Sequence, residues 1–166
     1  SLQNDRGRII IPLIDKEGNW FGVQGRSLLP RSTMRYITII FDEDKQKVFG
    51  LNNVNESEPI YIVEGPIDSL FLDNSVAMVG SDVDPRTYSW SDYIWVYDNE
   101  PRNRQIVERI SNSIGRGEKV VIWPQQVTKK DINDMILVGL DPQKIIKQNT
   151  YQGIQAQIKL TEWKRV

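Results

Sequence analysis

Neither cysteine nor histidine occurs among the 166 residues. Without cysteine there is no disulfide framework and no thiol nucleophile. Without either residue there is no ordinary zinc site and no histidine base. An excess of one charge is also missing: 21 Lys and Arg face 22 Asp and Glu, for a formal net charge of −1. The molecule as a whole is therefore no polycation, and any contact with nucleic acid has to come from a local basic surface. No apolar run reaches the roughly 20 residues that span a bilayer, and no signal-peptide pattern opens the chain, so a cytoplasmic protein that makes no use of a membrane is expected. The chemistry that remains uses carboxylates, hydroxyls, Lys, Arg and hard metal ions. The length suits one domain with a real core, or one domain with a small appendage.

Two halves differ in pattern. Residues 1–50 carry short β-like runs, RIIIPLI, WFGVQGR and RYITIIF, separated by the turn signals DKEGN and LLPRST, which predicts a small β-rich subdomain. The polar stretch LNNVNESEP at 51–59 is the natural boundary. Over 60–148 the apolar runs IYIV, VAMV, YIWVY and KVVIW are continuous rather than alternating, as in parallel strands covered on both faces, with candidate helices between them. In PRNRQIVERISNSIG, Pro101 suits a first helical turn, Ile106, Val107, Ile110 and Ile114 share a face, and Gly115 or Gly117 ends the helix. A second helix is signalled by DINDMILVG, with Asp131 as its N-cap, and a third by DPQKIIKQ, with Pro142 in its first turn. Residues 149–166 place Tyr151, Ile154 and Ile158 at helical spacing before a basic tail.

Three proposed strand ends carry acids: Glu64 after IYIV, Asp98 and Glu100 after YIWVY, and the Asp131/Asp134 pair beyond KVVIW. In an open parallel sheet ligands bind outside the carboxyl ends of the strands, at the point where strand order reverses. Carboxylates gathered there repel one another and are costly to desolvate, so they call for a cation. Mg²⁺ suits them because it prefers oxygen ligands and keeps waters and substrate phosphates in its shell. Each acid also has a plainer reading. Glu64 and Asp131 could cap the next helix, Asp68 could lie on a solvated helix face, and Asp98 and Glu100 could favour a helix start.

The segments VEGPIDSLFL, VYDNE and KKDINDMI resemble the Toprim fold shared by bacterial-type primases, topoisomerases and some nucleases. The resemblance implies a four-stranded parallel sheet flanked by helices, with Mg²⁺ or Mn²⁺ held by Glu64, Asp98 and Glu100. Glu100 departs from the family, which usually has Asp there, and lengthens the ligand arm by one methylene. Gly65 matches the family's glycine, and Asp68 is expected to support Glu64 from the next helical turn.

Residues outside this core favour one branch. GRIIIPLIDKEGNWFGVQGRSL, then RYI and KVFGL, resemble the segment that precedes Toprim in primases and forms part of their RNA polymerase half. By that resemblance Arg26, Arg35 and Lys47 handle nucleotide and template. Arg35 stands where bacterial primases commonly have Lys, and YIT replaces their Tyr-Leu-Asn. KKDINDMI matches their third acidic segment, which sets Lys130, Asp131 and Asp134 near a second metal or the triphosphate. The wording is most like primases of tailed bacteriophages, which implies a phage- or prophage-encoded protein acting in the bacterial cytoplasm. The implied function is metal-dependent synthesis of short RNA primers on single-stranded DNA from ribonucleoside triphosphates, beside a replicative helicase. A topoisomerase would need a nucleophilic Tyr from a separate domain, whereas Tyr61, Tyr93 and Tyr97 lie in strand runs. The alternatives are a Toprim nuclease and a non-catalytic fragment that binds nucleic acid or a partner. The zinc-binding domain with which bacterial-type primases read template is excluded from this chain by its composition. Much of the polymerase half before residue 7 is also expected to lie outside it.

Overall fold

A computed structural model describes residues 7–29, 32–80 and 82–166. The predicted turn LLPRST falls partly outside these residues, at Pro30 and Arg31, as does the start of the β-rich segment.

The three β-like runs of the first half form an antiparallel sheet of Arg8–Ile14 (β1), Trp20–Ser27 (β2) and Tyr36–Ile40 (β3), with Ile10 opposite Gly25 and Gly25 opposite Ile37. Side chains alternate between its faces. Leu13, Phe21 and Ile40 join the main core, while Ile10 and Ile39 stay exposed.

The second sheet holds six strands. Val48–Phe49 (β4) forms one edge, followed in space by Ser75–Met78 (β6), Ile60–Val63 (β5), Tyr93–Val96 (β7), Lys119–Val121 (β8) and Thr150–Tyr151 (β9). The four central strands are parallel, as expected, and β4 and β9 add an antiparallel strand at either edge. The sheet thus takes in residues on both sides of the 60–148 span.

Alternate residues of the same strands feed two cores, which is why the runs read as continuous. Ile60, Ile62, Trp95, Tyr97 and Val120 face one side, packed with the helices Arg104–Gly115 (α2) and Gly153–Trp163 (α5). Tyr61, Val63, Ile94, Val96 and Val121 face the other, where Ile132 and Met135 of Ile132–Leu137 (α3) and Ile146 of Pro142–Gln148 (α4) cover them. The burial of Tyr61 and Tyr97 accords with core roles for these tyrosines.

Two expectations need correction. Helix α2 begins later than Pro101: Asn103 caps it, its side chain accepting from the N–H of Gln105 at 3.1 Å, and Pro101 lies in the preceding turn. The buried face is as predicted, and the chain leaves the helix through Gly117 at φ 78°, a left-handed conformation that suits glycine. In α5 the stripe is misassigned. Ile154 and Ile158 are 76 % and 55 % exposed, whereas Ala156, Leu160 and Trp163 are buried. Tyr151 belongs to β9 rather than to the helix. The helix carries two apolar stripes, and α2 takes the one led by Trp163.

Candidate active site

Strand order reverses at β5: the chain runs from β5 outward to β6, then crosses back to lay β7 on the other side of β5. The carboxyl ends of β5 and β7 are therefore neighbours at the switch point, and they carry Glu64 and Asp98. Neither acid caps a helix. The residue at the N-terminus of the short helix Pro66–Ser69 (α1) is Gly65, and α2 starts only at Arg104, with Asn103 as its cap, beyond both Asp98 and Glu100.

Both acids are largely desolvated, with side chains 21 % and 19 % exposed. Burial is the main reason their carboxyls are hard to ionise. It raises Glu64 above its ordinary range, with Arg109 opposing and Glu100 adding repulsion. It pushes Asp98 up to about 7, with Glu64 adding repulsion and Lys130 offsetting part of it. Two basic side chains supply partial compensation. Nη1 of Arg109 donates to Oε1 of Glu64 at 3.1 Å, and its Nη2 also pairs with Asp82, while the guanidinium lies 5.3 Å from the centre of the Tyr97 ring. Lys130 Nζ stands 3.6 Å from Asp98 Oδ2 and 3.4 Å from Glu100 Oε2. Burial alone would lower the Lys130 pKa, but Asp98 and Glu100 outweigh it and hold the ammonium above its usual value.

Asp68 is not a solvated helix-face acid. Its Oδ1 accepts from the N–H of Asn133 at 2.9 Å, tying α1 to the first turn of α3, and burial raises its pKa while that hydrogen bond and the charge of Arg26 oppose the rise. Gly65 is extended, at φ −124°, so no special torsion demands glycine. Space does: a Cβ there would lie 2.7 Å from Oδ2 of Asp68. Asp131 is the N-cap of α3, its carboxylate accepting from the N–H of Asp134 at 2.8 Å, and Asp134 is exposed in the first turn.

The first sheet faces these acids across a cleft of about 350 Å³, with Arg26 and Arg35 on one wall and Glu64, Asp68, Asp98, Lys130 and Asp131 on the other. The guanidinium carbons of Arg26 and Arg35 each lie 5.8 Å from the centre of the Tyr36 ring, which makes a cationic wall built around one aromatic residue. Lys47 does not line this cleft; it is exposed beside the end of β6, its carbonyl accepting from Val79 N–H at 2.9 Å.

Arg109, Asn99 and Tyr36 were not singled out from the sequence. Arg109 is one basic residue among many until α2 packs and brings it over Tyr97. Asn99 was visible only as the middle of DNE. Among the described residues no three acidic side chains are grouped closely enough to hold a metal by themselves. Glu64 and Asp98 nevertheless form a desolvated oxygen pair, and Mg²⁺ commonly takes one or two carboxylates and completes its shell with water and substrate phosphate. The donor chemistry fits such an ion. No helix among the described residues is long and apolar enough to cross a membrane.

No family model matches the chain. The chain is 34 % identical over 165 residues to the DNA primase of Enterobacteria phage T4, a match that takes in 96 % of this chain and 48 % of that primase. It thus spans about half the length of the curated relative it matches. Among solved structures it is similar to the RNA polymerase domain of the Mycobacterium tuberculosis primase DnaG, with a TM-score of 0.67 and 15 % identity, over 89 % of this chain and 57 % of that one. It is also similar to the DnaG primase catalytic domain bound to single-stranded DNA, with a TM-score of 0.56 and 18 % identity, over 95 % of this chain and 53 % of that one. The fold is that of primase catalytic cores.

Proposed function

We propose that this chain, a relative of a phage DNA primase with the fold of primase catalytic cores, is the nucleotidyl-transfer part of a primase. It makes short RNA primers on single-stranded DNA from ribonucleoside triphosphates. The observation that carries the reading is the cleft: desolvated acids at the switch point on one wall, Arg26 and Arg35 on the other.

In this reading Glu64, Asp98 and Glu100 hold Mg²⁺ or Mn²⁺. The bound ion's contribution is to align a primer 3′-hydroxyl with the α-phosphate of the incoming nucleotide and to stabilise the pyrophosphate that leaves. Glu64 and Asp98 supply the negative charge that recruits the cation, in a site dry enough for that charge to count. Lys130, which lies beside Asp98 and Glu100, would bind the triphosphate. Arg26 and Arg35 neutralise template or nucleotide phosphates from the facing sheet, with Lys47 at the periphery. Asp68 fixes the start of α3 against the end of β5. Through its cap Asp131 orients the turn that carries Lys130, and Asp134 lies at the outer edge near the triphosphate. No protein nucleophile takes part. The work belongs to the cytoplasm of a bacterial host, next to a replicative helicase.

Incorporation of labelled ribonucleotide on a single-stranded DNA template, run beside a DNA cleavage assay, tests the proposal. Primer formation that is lost in Asp98→Ala supports it. Cleavage without incorporation would assign the same acids to a nuclease.

A further inference from the structure

Asn99 stands between the two acids of the turn that follows β7, and its backbone N–H and both polar atoms of its side chain have partners. Its N–H donates to the carbonyl of Lys130 at 2.7 Å. Its Nδ2 donates to the carbonyls of Val127 at 2.7 Å and Lys129 at 3.1 Å. Its Oδ1 accepts from the indole N–H of Trp163, the last residue of α5, at 3.0 Å. One residue therefore holds three carbonyls of the irregular segment between β8 and α3, and the terminal helix holds that residue in turn.

We propose that Asn99 is a positioning residue that acts through Lys130. By capturing the carbonyls of Val127, Lys129 and Lys130, it sets where the Lys130 ammonium meets the substrate phosphates, and Trp163 fixes which way its amide points. The inference rests on the reading of Lys130 as a phosphate-binding group. Lys130 needs such help. Its side chain is 53 % exposed, on a segment with no helix or strand of its own, and a free lysine loses substantial rotamer entropy when it is ordered on a ligand. The Asn99 contacts order the backbone beforehand. They also tie the backbone of the Lys130 segment to the turn bearing Asp98 and Glu100. The indole bond makes the amide orientation unambiguous: with Oδ1 committed to Trp163, Nδ2 has only the two carbonyls to serve.

The test is a double-mutant cycle read by binding. A fluorescent ribonucleoside triphosphate with Mg²⁺ is titrated into the full chain, into Asn99→Ala, into Lys130→Ala and into the double variant. Each single change should weaken binding roughly tenfold, the loss for a charge-assisted contact, and the double variant should bind no more weakly than Lys130→Ala alone. Trp163→Phe, which keeps an aromatic ring and removes the donor, should give a smaller loss that also vanishes in the Lys130→Ala background. If Asn99→Ala fails to fold, the Trp163→Phe cycle carries the same comparison. Losses that multiply in the double variants, with a lower melting temperature as the common effect, would overturn the inference and leave Asn99 a merely structural residue. Unchanged binding in Lys130→Ala would overturn the reading of Lys130 itself, and the inference with it.

Discussion

Replacing Asp98 with Asn measures how strongly the fold opposes charge at the end of β7. Burial first, and Glu64 next, push this carboxyl from 3.8 to about 7. A group whose folded pKa lies above its unfolded one holds its proton more tightly in the folded state. Its stabilising contribution is complete below the unfolded value and is lost as pH rises through the folded one, so the loss runs from about pH 4 to pH 7. At about 1.36 kcal/mol per pH unit, the rise amounts to roughly 4 kcal/mol. Solvent still reaches a side chain that is 19 % exposed, and Asp98 titrates as a pair with Glu64, so roughly 2–3 kcal/mol is the expected effect. Asparagine has nearly the same shape and does not ionise. Asp98→Asn should therefore exceed the parent in stability by that amount at about pH 8 and match it near pH 4, as urea unfolding across a pH series would read it. Added Mg²⁺ or Mn²⁺ should close the gap at high pH by binding the native parent. A gap that is constant with pH, or absent at every pH, would refute the claim that a desolvated carboxylate pair lies at the switch point.

Gly65→Ala should cost roughly 1–2 kcal/mol of stability by displacing the Asp68 carboxylate from the N–H of Asn133, and most of that cost should vanish when Asp68 is also replaced by Ala; full cost in the double variant would show that the clash lies elsewhere. Arg109→Ala removes the partner of Glu64 and the cation over Tyr97 and should destabilise by roughly 1–2 kcal/mol in thermal unfolding, with Arg109→Lys recovering only part because lysine lacks the planar fork; a fully recovered lysine variant would mean that charge alone matters there. Arg35→Glu should weaken binding of single-stranded DNA and flatten its salt dependence, since a phosphate contact that releases counterions is lost; an unchanged affinity and slope would take Arg35 out of the nucleic-acid path.

Local pattern alone was enough for the longer strands and for several helix ends. Continuous apolar runs such as IYIV and YIWVY can satisfy both faces only in a covered sheet, and Asp131, Gly117 and Pro142 mark helix boundaries by their own backbone chemistry. The acids at the strand ends were also legible, because a parallel sheet presents its carboxyl ends together. Tertiary packing decided the rest. Which stripe of α5 is buried depended on α2 selecting Ala156, Leu160 and Trp163 over Ile154 and Ile158, two sets that a helical wheel ranks alike. The antiparallel edges at β4 and β9 come from pairings too short and too distant in sequence to leave a periodicity. Arg109 meets Glu64 across 45 positions and Asn99 meets Trp163 across 64, and no spacing rule reaches that far. Arg26 and Arg35 face the acids because the docking of the first sheet brings that wall over the strand ends, whereas Lys47, next to β4 at the edge of the second sheet, stands aside. Sequence determines local conformation and the inventory of charges; the direction in which each charge points, and the water it loses, are properties of the packed molecule alone.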